Sequence, residues 1–150
     1  GNVLATHGYF NTGLYDIDGQ GTYPDRAHGA IEVTGRAEDM GKFRTPTLRN
    51  LSATGPYTHD GTVPTLDYML DIYARGGRFI ELGPTAGDGR DSPLKDPRIT
   101  GFTMTDQEKI DLLAFLEALT EPEFFLRSDL SDPFGVTTDE SNGLLPISSD

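Results

Sequence analysis

The side chains best suited to chemistry in this 150-residue chain are few and scattered. There is no cysteine. That removes disulfides, thiolate-held zinc or iron–sulfur clusters, a thiol nucleophile and any Cys-x-x-Cys-His haem attachment within the chain. The imidazoles of His7, His28 and His59 stand 21 and 31 residues apart, so none of them forms the His-x-x-x-His pair that sets two metal ligands on one helical face. Asp88 and Asp91 are the nearest thing to paired acid and base carboxylates, but they sit in a glycine-rich turn where such groups are ordinarily solvated. Asp16-Ile17-Asp18-Gly19 opens like a calcium loop. Its glycine comes at the fourth position instead of the sixth, and Ala27 occupies the place of the bidentate glutamate. The stretch from Gly35 to Lys42 has one residue too many between its glycines for a phosphate loop, and Phe43 replaces the magnesium-binding hydroxyl. No Gly-x-Ser-x-Gly elbow occurs.

Two helices are predicted to position whatever site exists. The first runs from about Thr65 to Arg75. Pro64 precedes a Thr N-cap, Asp67 complements the dipole in the first turn, Gly76-Gly77 stops the helix, and Leu66, Met69, Leu70 and Tyr73 form its apolar stripe. In the second, Thr105 and Glu108 make a capping box. Ile110, Leu112, Leu113, Leu116 and Leu119 follow at helical spacing until Pro122. Residues 1–63 read as loop with short extended pieces, and residues 79–101 as successive turns. Past Arg127 the chain reads as an extended tail. The expected fold class is therefore mostly α and loop-rich, with one domain over 1–127 and a tail over 128–150. Loops this long call for a functional reason.

Composition narrows the partners. A net charge of −12 repels phosphate backbones and anionic lipid, so nucleic acid is a poor partner. The longest apolar run, Leu112 to Leu116, is five residues, against the roughly 20 of a membrane span. No signal-peptide pattern opens the chain.

One block is not generic. Gly41-Lys42-Phe43-Arg44-Thr45-Pro46-Thr47-Leu48-Arg49-Asn50, then Thr54-Gly55-Pro56-Tyr57-Thr58-His59-Asp60-Gly61, then Thr65-Leu66 leading to Tyr73-Ala74-Arg75-Gly76-Gly77, closely resembles the C-terminal haem domain of bacterial di-haem cytochrome c peroxidases, in particular the MauG-like branch. Phe10-Asn11-Thr12-Gly13-Leu14-Tyr15 is similar to a stretch of the same family in which His is common at the first position, and Met104 to Thr120 resembles its closing helix. The resemblance spans roughly residues 7 to 125.

What the resemblance implies is specific. The fold would be a partial cytochrome c-like haem domain, with Tyr73 as distal axial ligand of a haem iron. A phenolate there donates negative charge and stabilises oxidised iron, whereas a thioether favours electron relay. Met69, one turn earlier, is the competing ligand. From periodicity alone Tyr73 reads as a buried aromatic finishing an apolar stripe, and it is the matched context that makes it a ligand. The backbone carbonyls of Thr54 and Pro56 match a calcium site between two haem domains, whose remaining protein ligand comes from the other domain. His59 matches a family histidine near the haem, with a hydrogen bond holding the Asp60-Gly61 turn as the alternative. Arg44 and Arg49 are expected to fork haem propionates, or else to pair on the acidic surface. No catalytic residue is assigned. Relatives attach haem c through Cys-x-x-Cys-His, which this chain lacks; the simplest expectation is that Gly1 begins downstream of it. The chain then holds the distal half of a pocket and does not bind haem covalently by itself. The implied activity is a periplasmic oxidoreductase that uses hydrogen peroxide and shares the electron deficit between haems. Its reductant would be a small electron-donor cytochrome or an aromatic residue of a protein substrate. A conventional cytochrome c peroxidase relay domain with a Met ligand, and a haem-free acidic interaction domain, are the alternatives.

Overall fold

A computed structural model describes residues 4–15, 23–25, 27–123 and 126. The expected tail at 128–150 and the Asp16–Gly19 turn lie outside the described residues. The chain opens with β1 (Tyr9–Phe10), followed by α1 (Ile31–Thr34), β2 (Phe43–Arg44), α2 (Leu66–Arg75), β3 (Phe79–Ile80), β4 (Gly87–Asp88) and α3 (Asp106–Ala118), with single 3-10 turns at 37–39, 51–53 and 89–91. β1 and β2 pair antiparallel, with Tyr9 opposite Arg44 and Phe10 opposite Phe43. β3 and β4 form a second antiparallel pair.

Local chemistry sets both long helices. The Thr65 hydroxyl accepts from the Tyr68 amide at 3.2 Å, and Gly76, at φ 84°, ends α2 by sending its amide back to the Ile72 and Tyr73 carbonyls. In α3 the Thr105 hydroxyl accepts from the Glu108 amide at 3.2 Å while the Glu108 carboxylate accepts from the Thr105 amide at 2.8 Å. The four-residue α1 is not visible in the periodicity of the first 63 residues. One turn shows no repeat, and α1 has no capping side chain; only left-handed Gly35 marks its end.

Lys109 of α3 reaches Asp67 at 2.8 Å and Asp71 at 2.7 Å on α2. The Phe102 amide donates to the Ala74 carbonyl at 2.9 Å. At the other end of α3, Asn50, in the left-handed conformation, donates its amide to the Leu119 carbonyl at 3.1 Å and accepts at Oδ1 from the Glu121 amide at 2.8 Å. The segment between β2 and α2 is thereby tied to the end of α3, which is itself held to α2.

Among the described residues the buried apolar side chains are Leu14, Tyr15, Ala27, Val63, Leu70, Ile72 and Leu116. This is a small core, and neither predicted stripe is buried as a unit. On α2, Leu70 and Ile72 are buried, whereas Leu66 and Met69 are half-buried and Tyr73 is 38 % exposed. On α3 only Leu116 is buried, and Ile110 stands exposed. The Leu66–Met69–Tyr73 face of α2 has an internal space in front of it instead of protein.

Asp88 is also not the solvated turn residue expected. Arg75 grips both its oxygens at 3.0 and 2.7 Å, and Arg90 binds Oδ2 at 2.6 Å. The Arg90 hydrogen bonds lead in holding its carboxyl well below the usual range, against the upward push of desolvation. Its role is to clamp the end of α2 to β4.

Candidate functional site

The space in front of α2 is a cavity of about 970 Å³, at the upper end of the ~300–1,000 Å³ typical of cofactor and ligand sites. Leu66, Met69 and Tyr73 form one wall. The opposite lining comes from Phe10 to Leu14, from the long segment between Phe43 and His59, and from Asp96 to Ile99. Every residue singled out in the sequence, Tyr73, Met69, His59, Arg44, Arg49, Thr54 and Pro56, lines this cavity. The fold gathers them from a helix and a loop up to 29 positions apart in the chain.

The Tyr73 hydroxyl carries no hydrogen bond among the described residues, and burial pushes its pKa up, so it keeps its proton unless a cation draws it off. Met69 sits on the same face one turn earlier. The structure puts both candidate ligands on the cavity wall and does not rank them.

Arg44 and Arg49 face the cavity without a carboxylate partner among the described residues, although acidic groups outnumber basic ones two to one in the chain. Arg36, Arg75, Arg78, Arg90 and Arg98 are all ion-paired. Surface pairing, the alternative for these two guanidiniums, is not observed among the described residues. Two unpaired forks on an apolar cavity suit a carboxylate-bearing, flat, apolar ligand.

His59 stacks on Phe43 with ring centroids 3.6 Å apart and planes 9° from parallel. Burial lowers its pKa, with Asp60 raising it and Arg78 lowering it further, and this favours the neutral imidazole. The Asp60-Gly61 turn is held without it. The Asp60 carboxylate accepts from the Thr58 and Thr62 hydroxyls, the Thr62 amide at 3.1 Å, Tyr15 and Arg78.

Thr54 and Pro56 lie on the cavity rim, with the Thr54 hydroxyl donating to the Leu51 carbonyl at 3.2 Å. Among the described residues no three His, Asp or Glu side chains converge as a metal-binding group. Two cavity residues were missed in the sequence. Arg98, paired with Asp96 at 2.8 Å, lies with its guanidinium 4.3 Å from the Phe10 ring centroid. The Asp96-Pro97 dipeptide reads only as a turn, and nothing local announces that its neighbours close a cavity.

No protein-family model matches the chain. It is 37 % identical over 107 residues to the cytochrome-c peroxidase IdrP1 of Denitromonas iodatirespirans, covering 71 % of this chain and 25 % of that protein. It is 38 % identical over 77 residues to the methylamine utilization protein MauG of Methylorubrum extorquens, covering 51 % of this chain and 18 % of that protein. The solved structure of a MauG-like protein associated with microbial copper homeostasis superposes with a TM-score of 0.77 at 53 % identity, over 85 % of this chain and 37 % of that one. The chain thus spans about a quarter of the length of these cytochrome-c peroxidase relatives.

Proposed function

From a chain that belongs to the bacterial cytochrome c peroxidase and MauG-like family, we propose a part of a haem-dependent oxidoreductase: the cytochrome c-like C-terminal half-domain that forms the distal wall of one haem pocket. The observation that carries this is the uncovered face of α2, which presents Tyr73 to a cavity that also holds two carboxylate-seeking arginines. The residues present fit the group: a planar apolar macrocycle with two carboxylates matches the apolar wall, the volume and the two guanidiniums that have no carboxylate partner among the described residues. Haem, when bound, supplies iron-centred redox chemistry with peroxide.

In this reading Tyr73 would hold the haem iron through its phenolate oxygen. Arg44 and Arg49 would hold the propionates, and His59, whose pKa burial lowers, would line the haem pocket beside Phe43. Thr54 and Pro56 offer carbonyl oxygens to a calcium ion, with further ligands from the rest of the protein. Met69 as ligand, and with it an electron-relay role, is the second reading, supported by its place on the same wall one turn away. Hydrogen peroxide is the proposed oxidant, and a small cytochrome or an aromatic residue of a protein substrate the proposed reductant. The periplasm is the proposed compartment, and no helix among the described residues is long and apolar enough to cross a membrane.

Absorption spectroscopy on the whole protein tests the assignment. Tyr73→Phe is expected to remove a ferric tyrosinate band from one haem and leave the other unchanged. An identical spectrum overturns the Tyr73 ligand, and loss of a thioether band in Met69→Leu instead selects the second reading.

A further inference from the structure

One aromatic group contiguous with the cavity plays no part in holding a cofactor. Tyr15 is 6 % exposed and its hydroxyl donates to Asp60 Oδ2. Its ring meets His59 edge-on at 6.1 Å and Tyr23 edge-on at 6.2 Å. His59 in turn stacks on Phe43, and both of these rings line the cavity. A continuous file of ring contacts therefore joins a buried phenol to the cofactor space.

The chain contains neither Trp nor Cys, so tyrosine is its most readily oxidised aromatic side chain. Oxidising a phenol makes it strongly acidic, and a radical survives only where a base stands within hydrogen-bond reach of the oxygen. Tyr15 has that base. By contrast Tyr57 donates to the Leu51 carbonyl at 2.9 Å, which cannot take a proton, and Tyr73 has no partner among the described residues. Thr58 and Thr62 hydroxyls hold Asp60 as a carboxylate. The Arg78 guanidinium, 3.3 Å from Asp60 Oδ2 and 5.3 Å from the Tyr15 ring centroid, disfavours positive charge on the ring. Loss of an electron from Tyr15 must then be accompanied by loss of its proton.

We propose that Tyr15 is a redox-active tyrosine that passes one electron through the His59 and Phe43 rings to an oxidised cofactor in the cavity, while its phenolic proton moves to Asp60. The phenolic O–H bond breaks, Asp60 becomes a neutral carboxylic acid, Tyr15 becomes a neutral phenoxyl radical, and the oxidant gains the electron. That oxidant is a peroxide-oxidised haem, so the inference rests on the haem reading above. The electron returned by an external donor restores the phenol with the proton from Asp60.

The test uses the whole haem-loaded protein, mixed with hydrogen peroxide and frozen for electron paramagnetic resonance. A phenoxyl signal that narrows when the protein is grown on ring-deuterated tyrosine, and that vanishes in Tyr15→Phe with the haem absorption unchanged, is the expected result. Asp60→Asn is expected to slow formation of the radical by about a hundredfold, the scale of a lost proton acceptor. An undiminished signal in Tyr15→Phe overturns the proposal. So does peroxide oxidation of the haem with no tyrosine radical in the unmodified protein, and either result leaves the haem reading standing. A whole protein without haem absorption overturns that reading itself. Should Asp60→Asn fail to fold, the Tyr15→Phe and deuterium comparisons decide the matter alone.

Discussion

At the scale of single residues, the cavity is defined by side chains that lack something. Tyr73 lacks a hydrogen-bond partner among the described residues, and Arg44 and Arg49 lack a counter-charge although acidic groups outnumber basic ones two to one. If propionates supply that counter-charge, Arg49→Ala in the whole protein is expected to lower the midpoint potential of one haem, because a cation beside the propionates favours the reduced state. Arg49→Lys is expected to rescue only partly, because an ammonium cannot fork a carboxylate; a spectroelectrochemical titration measures both. Asp39 is a residue of the opposite kind, fully supplied. Hydrogen bonds from Thr34, Arg36 and Lys42 lower its pKa to about 2. A carboxyl whose folded pKa lies below its unfolded value of about 3.9 stabilises the fold above that value and loses the effect as pH falls toward the folded pKa. Thermal midpoints of the wild type are therefore expected to be flat above about pH 4.5 from this group and to drop between about pH 4 and 2. Asp39→Asn should flatten part of that drop while lowering the midpoint at neutral pH.

At the scale of elements, α2 and α3 are made by their ends as much as by their faces. Each begins on a threonine cap, so Thr65→Ala and Thr105→Ala are each expected to lower stability by about 1 kcal/mol. Thr105 should cost the more, since its hydroxyl both accepts from the Glu108 amide and donates to the Glu108 carboxylate. Urea midpoints compare them. A glycine controls the joint beyond α2. A Cβ on Gly89 would fall 1.9 Å from the Gly13 carbonyl oxygen, a contact that cannot be relieved by a side-chain rotation because both partners are backbone. Gly89→Ala is accordingly expected to destabilise by several times as much as either cap substitution, with the loss visible in the same titration. This joint also seats Tyr15, which follows Gly13 by two residues.

At the scale of the whole molecule, the core is small and the cavity large. Among the described residues seven apolar side chains are buried, whereas a cavity of about 970 Å³ lies between α2 and the 43–59 segment. A fold arranged in this way gains stability from whatever fills it. Its net charge of −12 favours encounter with basic partners. The association rate of the whole protein with a basic donor cytochrome is expected to fall steeply as ionic strength rises from about 0.01 to 0.15 M, while an acidic donor shows no such fall. Stopped-flow traces at two salt concentrations separate the cases.

The two long helices, their caps and their stops are legible in the chain because they depend on neighbours three or four residues away: Thr65 with Tyr68, Thr105 with Glu108, Gly76 with Ile72. The candidate site residues Arg44, Arg49, Thr54, Pro56 and His59 are legible through the Phe43–Gly61 block, which is specific in order as well as composition, and Met69 and Tyr73 through the Thr65–Gly77 stretch that follows it. What the residues alone do not reveal is which apolar positions meet protein and which meet a cavity. Leu66, Met69, Leu70 and Tyr73 form one stripe by periodicity, yet packing buries Leu70 and leaves the other three bordering open space. The Tyr15–Asp60–Arg78 group is equally invisible, since its members stand 45 and 18 residues apart and meet only where the chain closes on itself. Periodicity and capping are local free energies, whereas an enclosed volume is a property of surfaces brought together from distant parts of the chain, and only the tertiary structure decides it.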